Sequence, residues 1–264
     1  MKLRIVPART GTRWVRDGVR TFFRQPLALG SLFGIFILLM SLAAMVPWVG
    51  GVLALVLMPA ATLGLMAATR EADEGRAPMP VILFTAFRQG PRQTRAMLVL
   101  GALYAVGVMI VMGISSLIDG GQFAQVYLGG DGVTRELVMD PRFRTAMWVT
   151  TLLYLPLSLA FWHAPALVHW HAVSPVKSLF FSLVAVLRNT RAFLLFGAMW
   201  MAMSFGAGLV LLVLTAVTGS AAIAAAGLLP TGLVIGAMFF VSLWFTFRDS
   251  FMPEAADPAE PSPI

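Results

Sequence analysis

Residues 192–217 read AFLLFGAMWMAMSFGAGLVLLVLTAV, a run of 26 residues without a charged side chain. Only Ser204 and Thr215 are polar, and they are too scattered to form a polar stripe along a helix. About 20 mostly apolar residues suffice to cross the hydrocarbon core of a membrane as a helix, whereas a helix of a soluble protein usually keeps one polar face. The run therefore predicts a transmembrane helix.

Five further stretches share these properties, and none of the six contains Asp, Glu, Lys or Arg. The six predicted spans are Leu27–Val46, Gly51–Thr69, Met97–Ile118, Ala146–Val168, Ala192–Val217 and Ala222–Phe247. Backbone groups in hydrocarbon must be paired within their own segment, which favours helices. The polar and apolar alternation of a membrane β-barrel is absent. We predict an all-α polytopic membrane bundle whose six helices form three hairpins.

The composition agrees with a membrane protein. Of 264 residues, 59% are hydrophobic and 12% charged, against about 25% charged in an ordinary soluble domain. All of the charged residues lie outside the predicted spans. The chain has no cysteine, which excludes disulfides, thiolate catalysis and cysteine-ligated metals.

The positive charges are unevenly divided between the two sides of the predicted membrane. One side carries 16 of the 19 Lys and Arg residues, and the other carries three, Arg135, Arg142 and Arg144. By the positive-inside rule, both termini face the cytoplasm of a bacterial inner membrane. Because orientation explains the net charge of +7, nucleic acid is not an expected partner.

These assignments divide the chain into three parts. Residues 1–26 form a cytoplasmic N-terminus with a basic amphipathic helix, residues 27–247 form the six-helix domain, and residues 248–264 form a disordered cytoplasmic tail. The outer loop, residues 119–145, contains a glycine-rich turn at Gly129–Gly132 and four acidic residues. We expect a small solvated cap there rather than a cation site, because the spacing of the acids matches no calcium loop. The acidic residues are Asp119, Asp131, Glu136 and Asp140.

A weak threefold repeat precedes the hairpins. Shorter segments at residues 14–26, 80–91 and 175–189 each end on a large apolar residue, an arginine and an amide. The three motifs are Phe23-Arg24-Gln25, Phe87-Arg88-Gln89 and Leu187-Arg188-Asn189. We therefore expect a cytoplasmic amphipathic or interfacial helix before each hairpin.

The first of these segments predicts a basic amphipathic helix. At 100° per residue, Asp17 and four arginines share one arc, and Val15, Val19 and Phe22 lie opposite. Such a helix suits the anionic cytoplasmic leaflet, so the arginines are candidate lipid-headgroup contacts. The alternative is that they only anchor and orient the first span. These arginines are Arg13, Arg16, Arg20 and Arg24.

Prolines and small residues mark the spans. Pro59, Pro165 and Pro230 fall in the even-numbered spans, where each forms a helix kink or shapes a path for a solute. Small residues four apart predict close helix packing within the chain, or alternatively a homodimer face. Examples are Ala60/Gly64/Ala68, Gly101/Ala105, Ala198/Ala202/Gly206 and Gly232/Gly236.

No catalytic or metal-binding constellation is recognisable. His163, His169 and His171 do not share a helical face, and an interfacial aromatic belt with Trp162 and Trp170 explains them better than a metal site. Tyr104, Tyr154 and His163 are the acid or base candidates at membrane depth, and nothing in the sequence brings them together. We expect no cofactor, no metal and no enzymatic activity.

The stretch Phe161–Val168, with Ser174-Pro175 and Leu187–Asn189, resembles an uncharacterised family of six-helix proteobacterial inner-membrane proteins. It is more distantly similar to the membrane domain of some bacterial glycerophosphodiester phosphodiesterases, without their catalytic domain. The resemblance implies location and helix number. Our leading hypothesis is a non-enzymatic membrane protein that acts through helix packing and contacts with membrane lipids, a second copy or another membrane protein. The alternative is a permease for an uncharged or lipidic solute.

Overall fold

The computed structural model describes residues 3–128 and 132–251, and every regular element in these ranges is helical. The predicted turn at Gly129–Gly132 lies outside them except for Gly132. The α-helices are α1 (Thr10–Arg24), α2 (Pro26–Ala44), α3 (Gly50–Asp73), α4 (Pro91–Asp119), α5 (Gln122–Tyr127), α6 (Arg135–Met139), α7 (Pro141–Phe161), α8 (Ala164–His171), α9 (Pro175–Arg188), α10 (Thr190–Thr218) and α11 (Ala221–Phe251). A 3₁₀-helix, Pro80–Phe87, lies between α3 and α4.

The prediction of an all-α polytopic membrane protein is confirmed. Six helical segments are long and apolar enough to cross a membrane: α2, α3, α4, α7 with α8, α10 and α11. A shorter helix precedes each hairpin, namely α1, the 3₁₀-helix and α9. Glycines with left-handed backbones end two of the long helices, Gly120 after α4 and Gly219 after α10, a conformation that glycine adopts without steric cost.

One predicted boundary is wrong. Residues 248–251 belong to α11 instead of a disordered tail, because Arg248 and Asp249 have partners in the folded protein. The rest of the predicted tail, residues 252–264, lies outside the described residues.

The chain divides into two compact units. The terminal unit comprises Met1–Phe33, Met66–Met79 and Ala185–Ile264, and the central unit comprises Gly34–Leu65 and Pro80–Val184. In the terminal unit, α1 packs against α10 and α11, and its buried face includes Trp14, Gly18 and Phe22. A Cβ atom on Gly18 would lie 2.7 Å from that of Ser242, so only glycine permits this approach between α1 and α11.

The central unit is built around α4. This helix packs along α7, and its buried residues share a core with Leu55 and Leu63 of α3. A Cβ atom on Gly101 would lie 2.8 Å from the carbonyl carbon of Val56, and one on Gly64 would lie 2.7 Å from Cα of Leu83 in the 3₁₀-helix. At these two positions the small residues pack helices within the chain, as expected.

Candidate functional site

A charged cluster lies at the end of α11 that carries Arg248. The Arg248 guanidinium contacts three carboxylates: Asp73 at 3.1 Å, Asp249 at 3.0 Å and Asp17 at 3.8 Å. It also lies 4.8 Å from the ring centre of Phe245. The cluster thus joins α1, the end of α3 and α11 within the terminal unit.

Two tryptophans complete this Arg248 cluster. Trp14 Nε1 donates a hydrogen bond to Asp249 Oδ2 at 3.0 Å, and Trp244 Nε1 donates to Asp73 Oδ2 at 3.2 Å. Trp14 is completely buried, and its ring packs against Phe193 of α10 with ring centres 5.0 Å apart. Asp73 and Asp249 each accept from Arg248 and from an indole N–H, and because Trp14 belongs to α1, the arrangement is suited to fixing α1 in place.

Asp17 is the least favourably placed of the three carboxylates. Burial raises the pKa of Asp17, and the attraction of Arg248, which lowers it, does not fully compensate. Its 3.8 Å separation from Arg248 is also the longest in the cluster. At neutral pH the charged form of Asp17 therefore costs stability.

The amides of the repeated motif each join separate segments of a unit. Asn189, which is buried, accepts from the Val6 N–H at 2.8 Å and donates to the Arg4 carbonyl at 3.0 Å, and so holds the extended N-terminal segment. Gln25 donates to the Arg76 carbonyl at 3.2 Å. Gln89 lies 3.0 Å from Nε2 of His169. The motif was visible in the sequence, but the partners are far along the chain and could not be read from it.

The arginines of the same three motifs behave differently from the amides. Arg24, Arg88 and Arg188 are exposed. Each motif thus directs its amide to the protein and leaves its arginine outside.

The four candidate lipid-contact arginines are exposed on one side of α1. None of Arg13, Arg16, Arg20 and Arg24 forms an ion pair with a described residue. The opposite face of α1 packs on α10 and α11 instead of remaining open to lipid. The helix is therefore held by protein contacts, and its arginines remain available to the surroundings.

The predicted kink at Pro165 is a complete interruption between α7 and α8. In a continuous helix the His163 N–H would donate to the Leu159 carbonyl. Here the Ser182 hydroxyl lies between them: it accepts from His163 N at 2.9 Å and donates to Leu159 O at 2.9 Å. A side chain of α9 thereby replaces one backbone hydrogen bond of the fourth span.

The other two prolines lie within continuous helices. Pro59 is buried inside α3 of the central unit, whereas Pro230 is exposed inside α11 of the terminal unit. Pro230 borders a surface cleft with apolar side chains and Thr231. Of the three prolines, only Pro230 lines this cleft, and within the described residues no polar cavity is lined by two of them.

Two of the three histidines assigned to an interfacial belt are buried in the protein, whereas His171 is half-exposed. His163 is completely buried and His169 nearly so, and both lie in the interior of the central unit. The reason is the interruption at Pro165, which turns α8 into the protein, where Gln93 donates to the Val168 carbonyl. Within residues 3–128 and 132–251, no three His, Asp or Glu side chains are placed to hold a metal ion.

Two of the acid or base candidates meet in the structure. The hydroxyls of Tyr104 and Tyr154 are 2.7 Å apart and share a hydrogen bond between α4 and α7. The ring of Phe161 packs edge-on to Tyr104, with ring centres 5.0 Å apart. Two hydrogen-bonded phenols supply a polar crosslink between helices; neither is a strong base or an activated nucleophile.

Two of the four acidic residues of the predicted outer loop, Asp119 and Asp140, act as helix caps. Asp119, a buried residue, accepts from the backbone N–H groups of Gly121 and Phe123 at 2.9 and 2.7 Å. Asp140 accepts from Arg142 N at 2.8 Å at the start of α7. Both carboxylates thus satisfy backbone donors at helix starts. Asp131 lies outside the described residues.

These features define a multi-pass helical membrane protein in which the polar groups of these clusters connect separate segments of the chain. A probable inner membrane protein of Burkholderia thailandensis is 39% identical to this chain over 254 residues, which cover 95% of the chain and 94% of the relative. The chain belongs to the family of this inner membrane protein. No family model matches the chain, and no solved structure matches it.

The Ser182 bridge should be important for stability. Replacing Ser182 with Ala leaves the Leu159 carbonyl and the His163 N–H without their bridging hydroxyl, which we expect to lower the free energy of unfolding by about 1–3 kcal/mol. The measurement is thermal or denaturant unfolding of the purified protein in detergent. Ser178→Ala is the matched control, because Ser178 is equally buried in α9 but bonds only to Pro175 of its own first turn. Equal stability of the two variants would contradict this role.

Neutralising Arg248 and neutralising Asp17 should change the stability of the protein in different ways. Arg248→Gln leaves three carboxylates without their cation, and we expect it to destabilise the protein by about 1–3 kcal/mol at pH 7. Asp17→Asn removes a carboxylate whose pKa is raised, so it should leave stability at pH 7 unchanged or higher.

The pH dependence of stability shows whether the charged form of Asp17 stabilises or destabilises the fold. The pKa of Asp17 is higher in the folded protein than in the unfolded chain, where it is about 3.9. This difference stabilises the fold when the pH is below the unfolded pKa, and the stabilisation is lost as the pH rises through the folded pKa. Melting midpoints measured from pH 4 to pH 7 should therefore fall more for the parent protein than for Asp17→Asn. A larger fall for the variant would show that the pair with Arg248 dominates instead.

Proposed function

We propose that this protein is a non-enzymatic inner-membrane protein that binds anionic phospholipid at the cytoplasmic surface through α1. The observation that carries the proposal is that α1 is fixed by one face and basic on the other. Trp14, Gly18 and Phe22 are buried on the fixed face, whereas Arg13, Arg16, Arg20 and Arg24 are exposed.

The physical basis is electrostatic. Each basic residue near an anionic membrane surface contributes about 1 kcal/mol of attraction, which decays within a Debye length. A free amphipathic helix would bind such a surface through its apolar face as well. Since the apolar face of α1 is occupied by protein, the arginines are left as the main lipid contact of this helix, already ordered before the lipid arrives.

Several further observations support a role in binding rather than catalysis. The carboxylates at Arg248 pair with arginine and indole groups, Ser182 completes a broken helix, and Tyr104 bonds to Tyr154. Each of these polar groups therefore has a structural task. The distant similarity to a phosphodiesterase membrane domain stays a prediction, as does the alternative of a permease, for which a polar cavity at Pro59, Pro165 or Pro230 would be required.

Lipid selectivity tests the proposal. Replacing Arg13, Arg16, Arg20 and Arg24 together with Gln should lower the number of anionic phospholipids retained in native mass spectra and reduce binding to phosphatidylglycerol vesicles at least about tenfold, because most of several kcal/mol of attraction is lost. The control is the triple variant Arg135→Gln, Arg142→Gln and Arg144→Gln on the predicted outer side. Unchanged anionic-lipid retention in a correctly folded four-arginine variant would refute the proposal.

The orientation can be tested separately, because a chain without cysteine allows single cysteines to be introduced. In intact spheroplasts, Glu136→Cys in the outer loop should react with a membrane-impermeant maleimide. Glu74→Cys, in an exposed turn beyond α3, should react only after permeabilisation. The reverse pattern would place both termini outside the cytoplasm.

A further inference from the structure

The α10–α11 hairpin carries an exposed surface that the fold leaves uncovered. No residue from 201 to 236 is buried. Gly206, Gly208 and Gly232 have open space where a Cβ atom would be, in contrast to Gly18 and Gly101. Contrary to our expectation, Gly206, Gly208 and Gly232 therefore do not serve helix packing within the described chain. Gly236 does, because a Cβ atom there would lie 3.1 Å from the ring of Phe33.

The position of α1 indicates the depth of this surface in the membrane. Trp14 packs on Phe193 and Phe196 at the start of α10, and Gly18 packs on Ser242 near the end of α11. Because α1 bears four exposed arginines, this level lies outside the hydrocarbon core. Twenty residues counted from the turn between the helices then span the core as residues 199–218 and 221–240.

This depth places Trp200 and Phe239 at the boundary between hydrocarbon and headgroups. Their rings pack edge-to-face, with centres 5.7 Å apart. Tryptophan is enriched at this level of membrane proteins, where its apolar ring and polar N–H meet their preferred surroundings. The ester carbonyls of glycerophospholipids lie in the same interfacial zone.

A cleft of about 440 Å³ runs from this aromatic pair between α10 and α11. Its lining is mainly apolar, and its glycines make it concave. The residues that matter here are Trp200, Ser204, Gly208, Leu211, Gly232 and Phe239. A neighbouring helix, about 10–12 Å across with its side chains, would cover the cleft rather than enter it, whereas an extended acyl chain is narrow enough to lie within.

Trp200 supplies a second, independent indication of a ligand. Its side chain is 5% exposed, and its indole N–H has no hydrogen-bond acceptor among the described residues. An unmade hydrogen bond at a buried donor is costly, and few buried polar groups in proteins are left in this state. The donor belongs to a residue that lines the cleft at the level of ester carbonyls.

We propose that this cleft binds one acyl chain of a membrane glycerophospholipid and that the ester carbonyl of this chain accepts a hydrogen bond from Trp200 Nε1. Because Trp200 Nε1 is shielded in the structure, this hydrogen bond requires the indole ring to rotate toward the cleft as the lipid enters. The inference rests on the proposed function in one respect: both require α1 to lie at headgroup level. It adds a specific chain-binding site below the arginines.

Two glycine variants test the cleft directly. Gly208→Leu and Gly232→Leu fill it with a side chain, and Gly113→Leu is the matched control, an exposed glycine of α4 that also has open space around it. The probe is a vesicle of phosphatidylglycerol brominated on its acyl chains, which quenches tryptophan fluorescence on contact. The contribution of Trp200 to the quenched fluorescence is the difference in quenching between the parent protein and Trp200→Phe.

We expect the Trp200 contribution to quenching to fall at least about threefold in both cleft variants and to be unchanged in the control. Native mass spectra should show one retained phospholipid fewer per chain in the cleft variants. Undiminished quenching and lipid retention in both would overturn the proposal. So would quantitative disulfide formation between two chains carrying Gly208→Cys, which would assign the surface to a second copy.

The four-arginine variant separates this proposal from the preceding one. If the arginine variant loses anionic selectivity while the cleft variants retain every lipid, the cleft site is refuted and the function of α1 stands. If the cleft variants lose a lipid while the arginine variant keeps its selectivity, the cleft site is supported and the proposed function of α1 is refuted.

Discussion

The absence of water in the hydrocarbon core is the constraint on which the structure depends. Every backbone N–H and C=O group there must find a partner in the protein, so the chain crosses the membrane as long uninterrupted helices. The break between α7 and α8, within the fourth candidate span, also leaves backbone groups that need partners. Where Pro165 breaks the fourth span, the Ser182 hydroxyl pairs the Leu159 carbonyl and the His163 N–H. The broken helix thus loses continuity without leaving these groups unpaired.

Charged groups are confined by the same constraint to the helix ends, where they perform two different tasks. Arg248 draws Asp17, Asp73 and Asp249 together and connects α1 to the ends of two long helices. Arg13, Arg16, Arg20 and Arg24 of α1 form no ion pair with a described residue and lie exposed, away from the face that packs on α10 and α11. An interior network holds the helix, and an exterior row remains available for binding.

The predictability of these features differs by residue. Hydropathy alone indicated the six spans, because a charged residue in hydrocarbon costs too much to be tolerated. Periodicity alone placed the arginines on one arc of α1. The partners of Asn189, the insertion of Ser182 and the contact between Tyr104 and Tyr154 join residues 19 to 185 positions apart, and a single sequence carries no information on such pairings. The tail boundary failed for the same reason, since Arg248 extends α11 through contacts with distant carboxylates.

The sequence by itself determined the class of protein, the number of spans and the basic face of the first helix, because these follow from local hydrophobicity and helical period. Only the tertiary structure decided which faces are used. It buried the apolar face of α1 against α10 and α11, turned His163 into the interior, and left Gly206, Gly208 and Gly232 uncovered. Gly18 and Gly208 are the same type of residue, and the sequence does not distinguish them. The fold places another helix against Gly18, which makes it a packing contact, and none against Gly208, which lines a cleft.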